Sequence, residues 1–288
     1  MFENHNQESN IYLLGDEMEI YLYNVLFRWG HIVVGIAWIG LLYYFNFVQT
    51  EYVKVADPDA KSDVMKKLAP NALWWFRWAA FLTFLTGLYL LYVQERAITT
   101  SITLGSLMGI IMMLNVWGII WRNQKIVIGL KEGDAVAAGA KAGLASRTNT
   151  LLSLPMLYFM VSSAHGGTAS YPKSYLLIDQ SAAGGPIAGY LGYDFWIVVI
   201  AVLLIELNAI YGKMFPVIAS VRSVITSSFI FTIVFSGLVF SAHGQNCSIH
   251  TCHCSLTVLR ICHLSRCLFS RCYCIVCNNN YRQDYIHR

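Results

Sequence analysis

The fold is decided by a stretch of 21 residues, Arg28-Trp-Gly-His-Ile-Val-Val-Gly-Ile-Ala-Trp-Ile-Gly-Leu-Leu-Tyr-Tyr-Phe-Asn-Phe-Val48. It carries one charge, at its first residue, and is long enough to cross a bilayer as a helix. Yet His31 lies about one turn in, and Asn46 lies near the far end. A histidine inside a spanning helix costs free energy unless it faces a partner, a cavity or a cofactor. His31 is therefore either a functional residue or a hydrogen-bonded residue at the membrane interface.

The composition of the whole chain is that of an integral membrane protein. Of its 288 residues, 56% are hydrophobic and only 12% are charged, whereas soluble domains carry about 25% charged residues. The formal net charge of +4 is too small to indicate nucleic-acid binding. The expected surroundings are a lipid bilayer.

Apolar runs predict six membrane spans, at about 21–48, 73–93, 102–121, 149–165, 193–212 and 223–242. From the N-terminal segment through the five loops, the Lys and Arg counts are 0, 4, 1, 5, 1 and 2. By the positive-inside rule, this alternation places the N-terminus outside and loops one, three and five in the cytoplasm. The sequence thus predicts an all-α, polytopic membrane bundle of six to seven transmembrane helices.

The chain divides into three predicted regions. Residues 1–20 form an external segment, residues 21–244 the membrane helical domain and residues 245–288 a tail. All eight cysteines lie in the tail, at 247 and beyond. In the third loop, the Ala/Gly-rich piece that begins at Ala135 predicts a short surface helix, and Ser146 to Thr148 are predicted to cap the next span.

Three histidines are predicted to lie at one depth, in the outer leaflet. His31 is near the outer end of span one, while spans four and six end in Ser-Ala-His165-Gly and Ser-Ala-His243-Gly. Imidazoles on facing helices are usual ligands for haem iron and for copper. His31, His165 and His243 are therefore candidate ligands of haem b or another metal. The alternative is that all three are hydrogen-bonded helix-end residues.

Four more polar residues within the spans are candidates for substrate binding, because buried polar groups in membranes often mark function. Arg28 lies one turn before His31, where its charge suits an anion or a haem propionate. Glu206 lies about three turns into span five and is a candidate proton-handling carboxylate. Asn115 and Arg77 lie nearer the cytoplasmic side, and Arg77 has an alternative role as an interfacial anchor beside three tryptophans.

The chain resembles the membrane-bound urate hydroxylase family, the N-terminal membrane region of bacterial urate oxidases, over roughly residues 20–243. The resemblance is carried by four segments: Arg28-Trp-Gly-His31 through Phe47, Asn71-Ala-Leu-Trp-Trp-Phe-Arg-Trp78, Leu114-Asn-Val-Trp117 through Gln124, and Ser146-Arg-Thr-Asn-Thr-Leu-Leu-Ser-Leu-Pro-Met156. It implies a multi-pass protein of the bacterial inner membrane. It also implies oxidation of urate to 5-hydroxyisourate, with electrons passed to a cytochrome c domain at the C-terminus.

The tail departs from that family pattern. Covalent haem c attachment needs Cys-x-x-Cys-His, and the nearest match, Cys274-Ile-Val-Cys277-Asn278, lacks the histidine. A separate cytochrome c, or another electron acceptor, is therefore the expected partner. Because cysteines go abruptly from none to eight, our hypothesis is that residues 245–288 are translated out of frame or are otherwise non-native.

Three functions remain open from the sequence. The leading prediction is an oxidoreductase whose substrate is a small planar purine anion such as urate, with Arg28 and Asn115 as anchors. The first alternative is a haem-b electron-transfer subunit without substrate chemistry of its own. The second is a small-molecule transporter whose polar residues line a path.

Overall fold

In the part of the chain that the structure describes, all secondary structure is helical. This computed structural model describes residues 2–93, 99–165 and 193–244, which contain helices and no strands. The side chains of residues 2–17, 19–20, 165, 193–194 and 240–244 lie outside that description. The predicted all-α class is confirmed for the described residues. The domain boundaries stay predictions, and the tail hypothesis concerns residues outside the description.

The helices follow one another with short connections. In chain order they are α1 (Phe2–Tyr43), the π-helix π1 (Tyr44–Gln49), α2 (Thr50–Val55), α3 (Pro58–Asp63), π2 (Val64–Leu68), α4 (Ala69–Val93), α5 (Thr100–Asn115), π3 (Val116–Ile120), α6 (Trp121–Val127), α7 (Ala135–His165), α8 (Tyr193–Tyr211), α9 (Pro216–Ala219) and α10 (Val221–Gly244). The π-helices join their neighbours without a break, so several of these segments form longer continuous helices.

Four continuous helices are long and apolar enough to cross a membrane: Tyr21–Val55, Pro58–Val93, Thr100–Val127 and Val221–Val239. They correspond to predicted spans one, two, three and six. The fifth predicted span is a shorter apolar helix, Phe195–Tyr211, and the fourth is the second half of α7. Six spans therefore stay a prediction.

The outer surface of the bundle is apolar. Large exposed side chains on α1, α4, α8 and α10 include Ile36, Trp75, Leu204 and Ile233, each at least half exposed. Soluble monomers rarely expose apolar patches of more than a few hundred Å². A surface of this kind is the one expected where lipid tails, rather than water, surround the helices.

Helix α7 begins earlier than the sequence predicted. Asp134 Oδ1 accepts hydrogen bonds from the backbone N–H groups of Val136 (2.8 Å) and Ala137 (3.1 Å) and so caps α7. From there the helix runs without interruption to His165. The prediction that Ser146 to Thr148 cap a separate helix is wrong, because the alanine-rich piece before them is a strong helix former and continues into the span.

Helix α7 packs closely against the helices around it. A Cβ added at Gly105 of α5 would lie only 3.2 Å from the backbone nitrogen of Met160 and 3.4 Å from the carbonyl oxygen of Met156. The two backbones therefore approach closely, as small residues permit in membrane bundles. The buried cluster around this contact includes Met108, Leu152 and Phe159.

Pro155 leaves one backbone carbonyl of α7 without its helical hydrogen-bond donor, and α10 supplies a replacement donor. A proline has no backbone N–H, so the carbonyl of Leu151, four residues earlier, loses its helical donor. Ser228 Oγ of α10 donates to that same carbonyl at 2.7 Å and is itself 1% exposed. In an apolar bundle such replacement donors let a helix tolerate an internal proline. The bond also fixes α10 against α7.

Replacing Ser228 by alanine should therefore lower the melting temperature of the purified protein. The Leu151 carbonyl would be left unpaired, at a cost of about 1–3 kcal/mol, which corresponds to a fall of several degrees. In a Pro155→Ala background residue 155 regains its N–H, so Ser228→Ala should cost less there. Ser236→Ala, which removes a hydroxyl bonded only to its own helix, is the control. An equal fall in melting temperature in both backgrounds would contradict the pairing of Ser228 with the Leu151 carbonyl.

Candidate functional site

The candidate site is centred on a polar run in the middle of α7. Arg147, Thr148, Asn149 and Thr150 are consecutive and only 5%, 1%, 0% and 2% exposed. Consecutive residues of a helix point to all sides, so neighbouring helices must cover every face of this run. Burying polar groups in an apolar bundle is costly unless they are paired. The run is therefore the place where this bundle departs most from simple apolar packing.

Three helices join their polar side chains at this level, in a group that we call the Asn–Asn–Glu cluster (Asn115, Asn149 and Glu206). Asn115 Nδ2 donates to Asn149 Oδ1 at 2.9 Å and to Glu206 Oε2 at 2.8 Å. Asn149 Nδ2 in turn donates to the carbonyl oxygen of Met112 at 2.9 Å. The cluster thus ties α5, α7 and α8 together through one hydrogen-bonded network.

Local backbone geometry marks the position of Asn115. It is the last residue of α5, immediately before the π-helix π3. A second buried asparagine, Asn46, lies inside π1. Widened π turns inside longer helices are frequent at functional sites. Asn46 lies within such a turn and Asn115 lies next to one, as is common for residues of binding sites.

A second network joins α1 and π1 to the same face of α7. The hydroxyl of Tyr43 lies 2.8 Å from Ser153 Oγ, and Asn46 Nδ2 donates to Ser146 Oγ at 2.8 Å. Ser153 also donates to the carbonyl of Thr150 within α7. The polar side chains on this side of α7 are hydrogen-bonded within the protein, so these side chains need no ligand as a partner.

Arg147 is the exception to this pairing. Its Nη1 atom and the neighbouring Thr148 Oγ1 are buried without a hydrogen-bond partner among the described residues. The carboxylate that acts on it electrostatically, Glu51, is exposed and forms an ion pair with Lys54 at 2.7 Å. Burial lowers the pKa of Arg147, which precedes predicted span four, and the charge of Glu51 opposes that shift. The guanidinium nonetheless stays charged at neutral pH.

Arg77 has a different environment. Its guanidinium lies over the ring of Trp121, 3.8 Å from the centroid, and its carbonyl accepts a hydrogen bond from Trp117 Nε1 at 3.1 Å. One guanidinium atom, Nη1, is buried without a partner in the described region. Cation–π stacking within a tryptophan cluster is the contact expected of an arginine that serves as an anchor. The contacts of Arg77 are separate from those of the Asn–Asn–Glu cluster.

His31 and Arg28 lie one turn apart on α1, and the structure gives them unlike surroundings. Arg28 is exposed, whereas His31 is half-buried against α4. His31 Nδ1 lies 2.9 Å from Thr86 Oγ1, and the hydroxyl of Thr86 donates to the carbonyl of Leu82 at 2.7 Å. With the hydroxyl proton directed to that carbonyl, the tautomer that fits has the ring proton on Nδ1 and a free lone pair on Nε2. A Cβ at Gly87 would lie 3.1 Å from the His31 ring, so only glycine leaves it this space.

The predicted histidine layer stays a prediction. The side chains of His165 and His243 lie outside the described residues. Among the described ones, no group of three or more His, Cys, Asp or Glu side chains is placed to hold a metal ion. His31 fits a ligand role as far as its own geometry goes, since an imidazole held through Nδ1 presents Nε2 as a metal ligand.

Of the four predicted substrate-binding residues, the structure brings two into direct contact: Asn115 and Glu206. Arg28 and Arg77 make no contact with that pair. Asn149, Arg147 and Thr148 were missed as site residues, although their signal was visible in the sequence. A run of polar residues between Ala145 and Leu151 interrupts a helix of otherwise apolar and small residues. The same residues also match a helix-capping pattern, which is why the sequence predicts a helix start there instead of a site.

Comparison with known families bears on this segment. The family model described as urate oxidase N-terminal matches residues 94–191. The match covers 98 of the 288 residues and includes Asn115 and the whole polar run of α7. It confirms the predicted resemblance to urate oxidases for this segment. The extension of the resemblance over residues 20–243 and its membrane-bound character stay predictions. No match was found among curated proteins or among solved structures.

The Asn–Asn–Glu cluster should contribute to stability through Asn115. Replacing Asn115 by leucine removes the donor to both Asn149 and Glu206, at an expected cost of about 1–3 kcal/mol. Glu206→Gln keeps an oxygen that accepts from Asn115 and should lower the melting temperature less. The control is Asn123→Leu, because that amide bonds only within its own helix. A melting temperature unchanged by Asn115→Leu would contradict the network.

Proposed function

We propose that this protein is an oxidoreductase of the bacterial inner membrane that oxidises urate to 5-hydroxyisourate and passes the electrons to a cytochrome c. The observation that carries the proposal is the match of residues 94–191 to the urate oxidase N-terminal family. The apolar helices and their apolar outer surface support the membrane setting.

The chemistry of the matched segment suits such a substrate. Urate is a planar anion whose edges carry N–H donors and carbonyl acceptors. Side-chain amides, such as those of Asn115 and Asn149, offer both kinds of group, and the buried guanidinium of Arg147 offers positive charge. Amides can also hold helices together, but an arginine that is 5% exposed is costly without a partner.

The reaction also requires an electron acceptor. Urate as a monoanion gains the oxygen of one water and releases one proton and two electrons when it forms neutral 5-hydroxyisourate. A haem b would supply the one-electron steps, and His31 with His165 or His243 would hold it. His31 fits this role because Thr86 holds Nδ1 and leaves Nε2 available. Residues 1–288 contain no Cys-x-x-Cys-His for covalent haem c attachment, so the acceptor haem would lie outside them.

The second candidate function is that of a haem-b electron carrier without substrate chemistry. The orientation of His31 favours it, because a histidine held in this way serves an electron-transfer haem equally well. It differs from the first proposal in where its electrons come from.

Membranes that contain the full-length protein should reduce an added c-type cytochrome when urate is supplied. Because each urate releases two electrons, two cytochromes should be reduced for each urate consumed. The absorbance change of the cytochrome and the loss of urate measure both quantities. Membranes that lack the protein are the control. Urate uptake without cytochrome reduction would replace this proposal with a transporter.

The full-length protein should also show a b-type band in a reduced-minus-oxidised spectrum with urate as the reductant. His31→Ala should abolish the band, and Thr86→Val should weaken or shift it, because the ring would lose its hydrogen bond. The control is Thr103→Val, whose hydroxyl bonds within its own helix turn. A band that appears with dithionite but not with urate would favour the electron carrier. A band unchanged in His31→Ala would exclude His31 as a ligand.

A further inference from the structure

The Asn–Asn–Glu cluster combines features that a simple helix clamp does not need. Two of its members, Asn115 and Asn149, are 2% and 0% exposed, while Glu206 is half-buried and therefore open on one side. The carboxylate accepts from Asn115 through Oε2. Neutral amides are enough to hold two helices together through hydrogen bonds. Burying a carboxylate inside an apolar helix costs far more free energy than burying an amide. The presence of a carboxylate here therefore calls for a chemical role.

The charges around the cluster favour an anionic ligand. Arg147 lies two residues before Asn149, about 3 Å along the axis of α7, although its side chain leaves from another face of the helix. Within the described part of the chain, no carboxylate lies within ion-pair distance of this guanidinium. Glu51 acts on Arg147 only from a distance and is itself paired with Lys54, so the charge of Arg147 is only partly compensated. In surroundings of low dielectric constant such a charge acts over several ångströms. It offsets the negative charges that Glu206 and an anionic substrate would bring together.

We propose that Asn115, Asn149 and Glu206 are the substrate site, in which the two amides hold the edge of a purine anion and Glu206 accepts the proton of the attacking water. This inference rests on the proposed function and assigns its chemistry to residues. The oxygen of water forms a bond to C5 of urate as its O–H bond breaks, and the proton passes to Glu206. Two electrons leave one at a time towards the cytochrome c. A ligand with N–H and carbonyl groups on one edge replaces the bonds that these side chains now make with each other.

The decisive experiment compares kcat and KM for urate-dependent cytochrome c reduction by full-length variants. Glu206→Gln keeps size and hydrogen-bonding oxygen but cannot take a proton, so kcat should fall about 100-fold or more with little change in KM. Glu206→Asp, which keeps the carboxylate, should recover part of that loss. Asn115→Leu and Asn149→Leu should instead raise KM about tenfold, since each removes a hydrogen bond to the substrate.

Tyr43→Phe is the matched control. It removes a single hydroxyl that bonds α1 to the same helix α7, so it tests whether the loss of any interhelical bond lowers the rate. It should leave kcat and KM close to those of the unmodified protein. The melting temperature of each variant is measured alongside, and Glu206→Gln is expected to stay folded because Asn115 keeps an acceptor.

The outcomes separate this inference from the function on which it rests. An active unmodified protein with a Glu206→Gln variant of unchanged kcat would overturn the assignment of Glu206 and leave urate oxidation standing. The assignment would also be wrong if Glu206→Asp were no more active than Glu206→Gln. An unmodified protein that reduces no cytochrome with urate would overturn the proposed function and the inference together.

Discussion

Polar side chains inside an apolar helical bundle must find partners within the protein, and this constraint organises the described structure. Helix α7 carries five of the twelve buried polar side chains in the described part of the chain. Several neighbours meet α7 through specific bonds: π1 at Ser146, α1 at Ser153, α5 at Asn149 and α10 at the carbonyl of Leu151. Since apolar side chains gain little by leaving lipid tails for one another, these bonds and close backbone packing carry much of the specificity of assembly.

The same constraint distinguishes buried polar groups that hold helices together from those that serve a function. The bonds of Tyr43, Asn46 and Ser228 are complete in themselves and fix one helix against another. Arg147 and Glu206 differ from them because each is an ionisable group without an oppositely charged partner within ion-pair distance among the described residues. Membrane proteins keep such groups where a substrate, an ion or a proton is handled. For this reason the two charges, rather than the number of hydrogen bonds, identify the candidate site.

The sequence predicted the helical class, the four long apolar helices and the urate oxidase resemblance of residues 94–191. It also proposed Asn115 and Glu206 as site residues, and the structure places these two in contact, while their role stays a prediction. These follow from hydropathy and from polar residues that stand alone in apolar runs. It did not predict that α7 begins at Ala135. Ser146 matches a helix-capping pattern, but the alanine-rich stretch before it favours helix strongly enough that the helix is continuous through Ser146. Nor does periodicity show which helices are neighbours. The contact of Asn115 with Asn149, 34 residues apart, needed the three-dimensional arrangement of α5, α7 and α8.

The length of α7 has a consequence for access. Its 31 residues span about 46 Å at 1.5 Å per residue, whereas the hydrocarbon layer of a bilayer is about 30 Å thick. If His165 lies at the outer boundary, the inner boundary falls close to Arg147, and the first turns of α7 stand in the cytoplasm. The polar run then occupies the inner rim of the membrane, within reach of water and of soluble metabolites. With the proposed function and the predicted orientation, substrate would arrive from inside the cell while electrons depart on the opposite side, so that each turnover would move charge across the membrane.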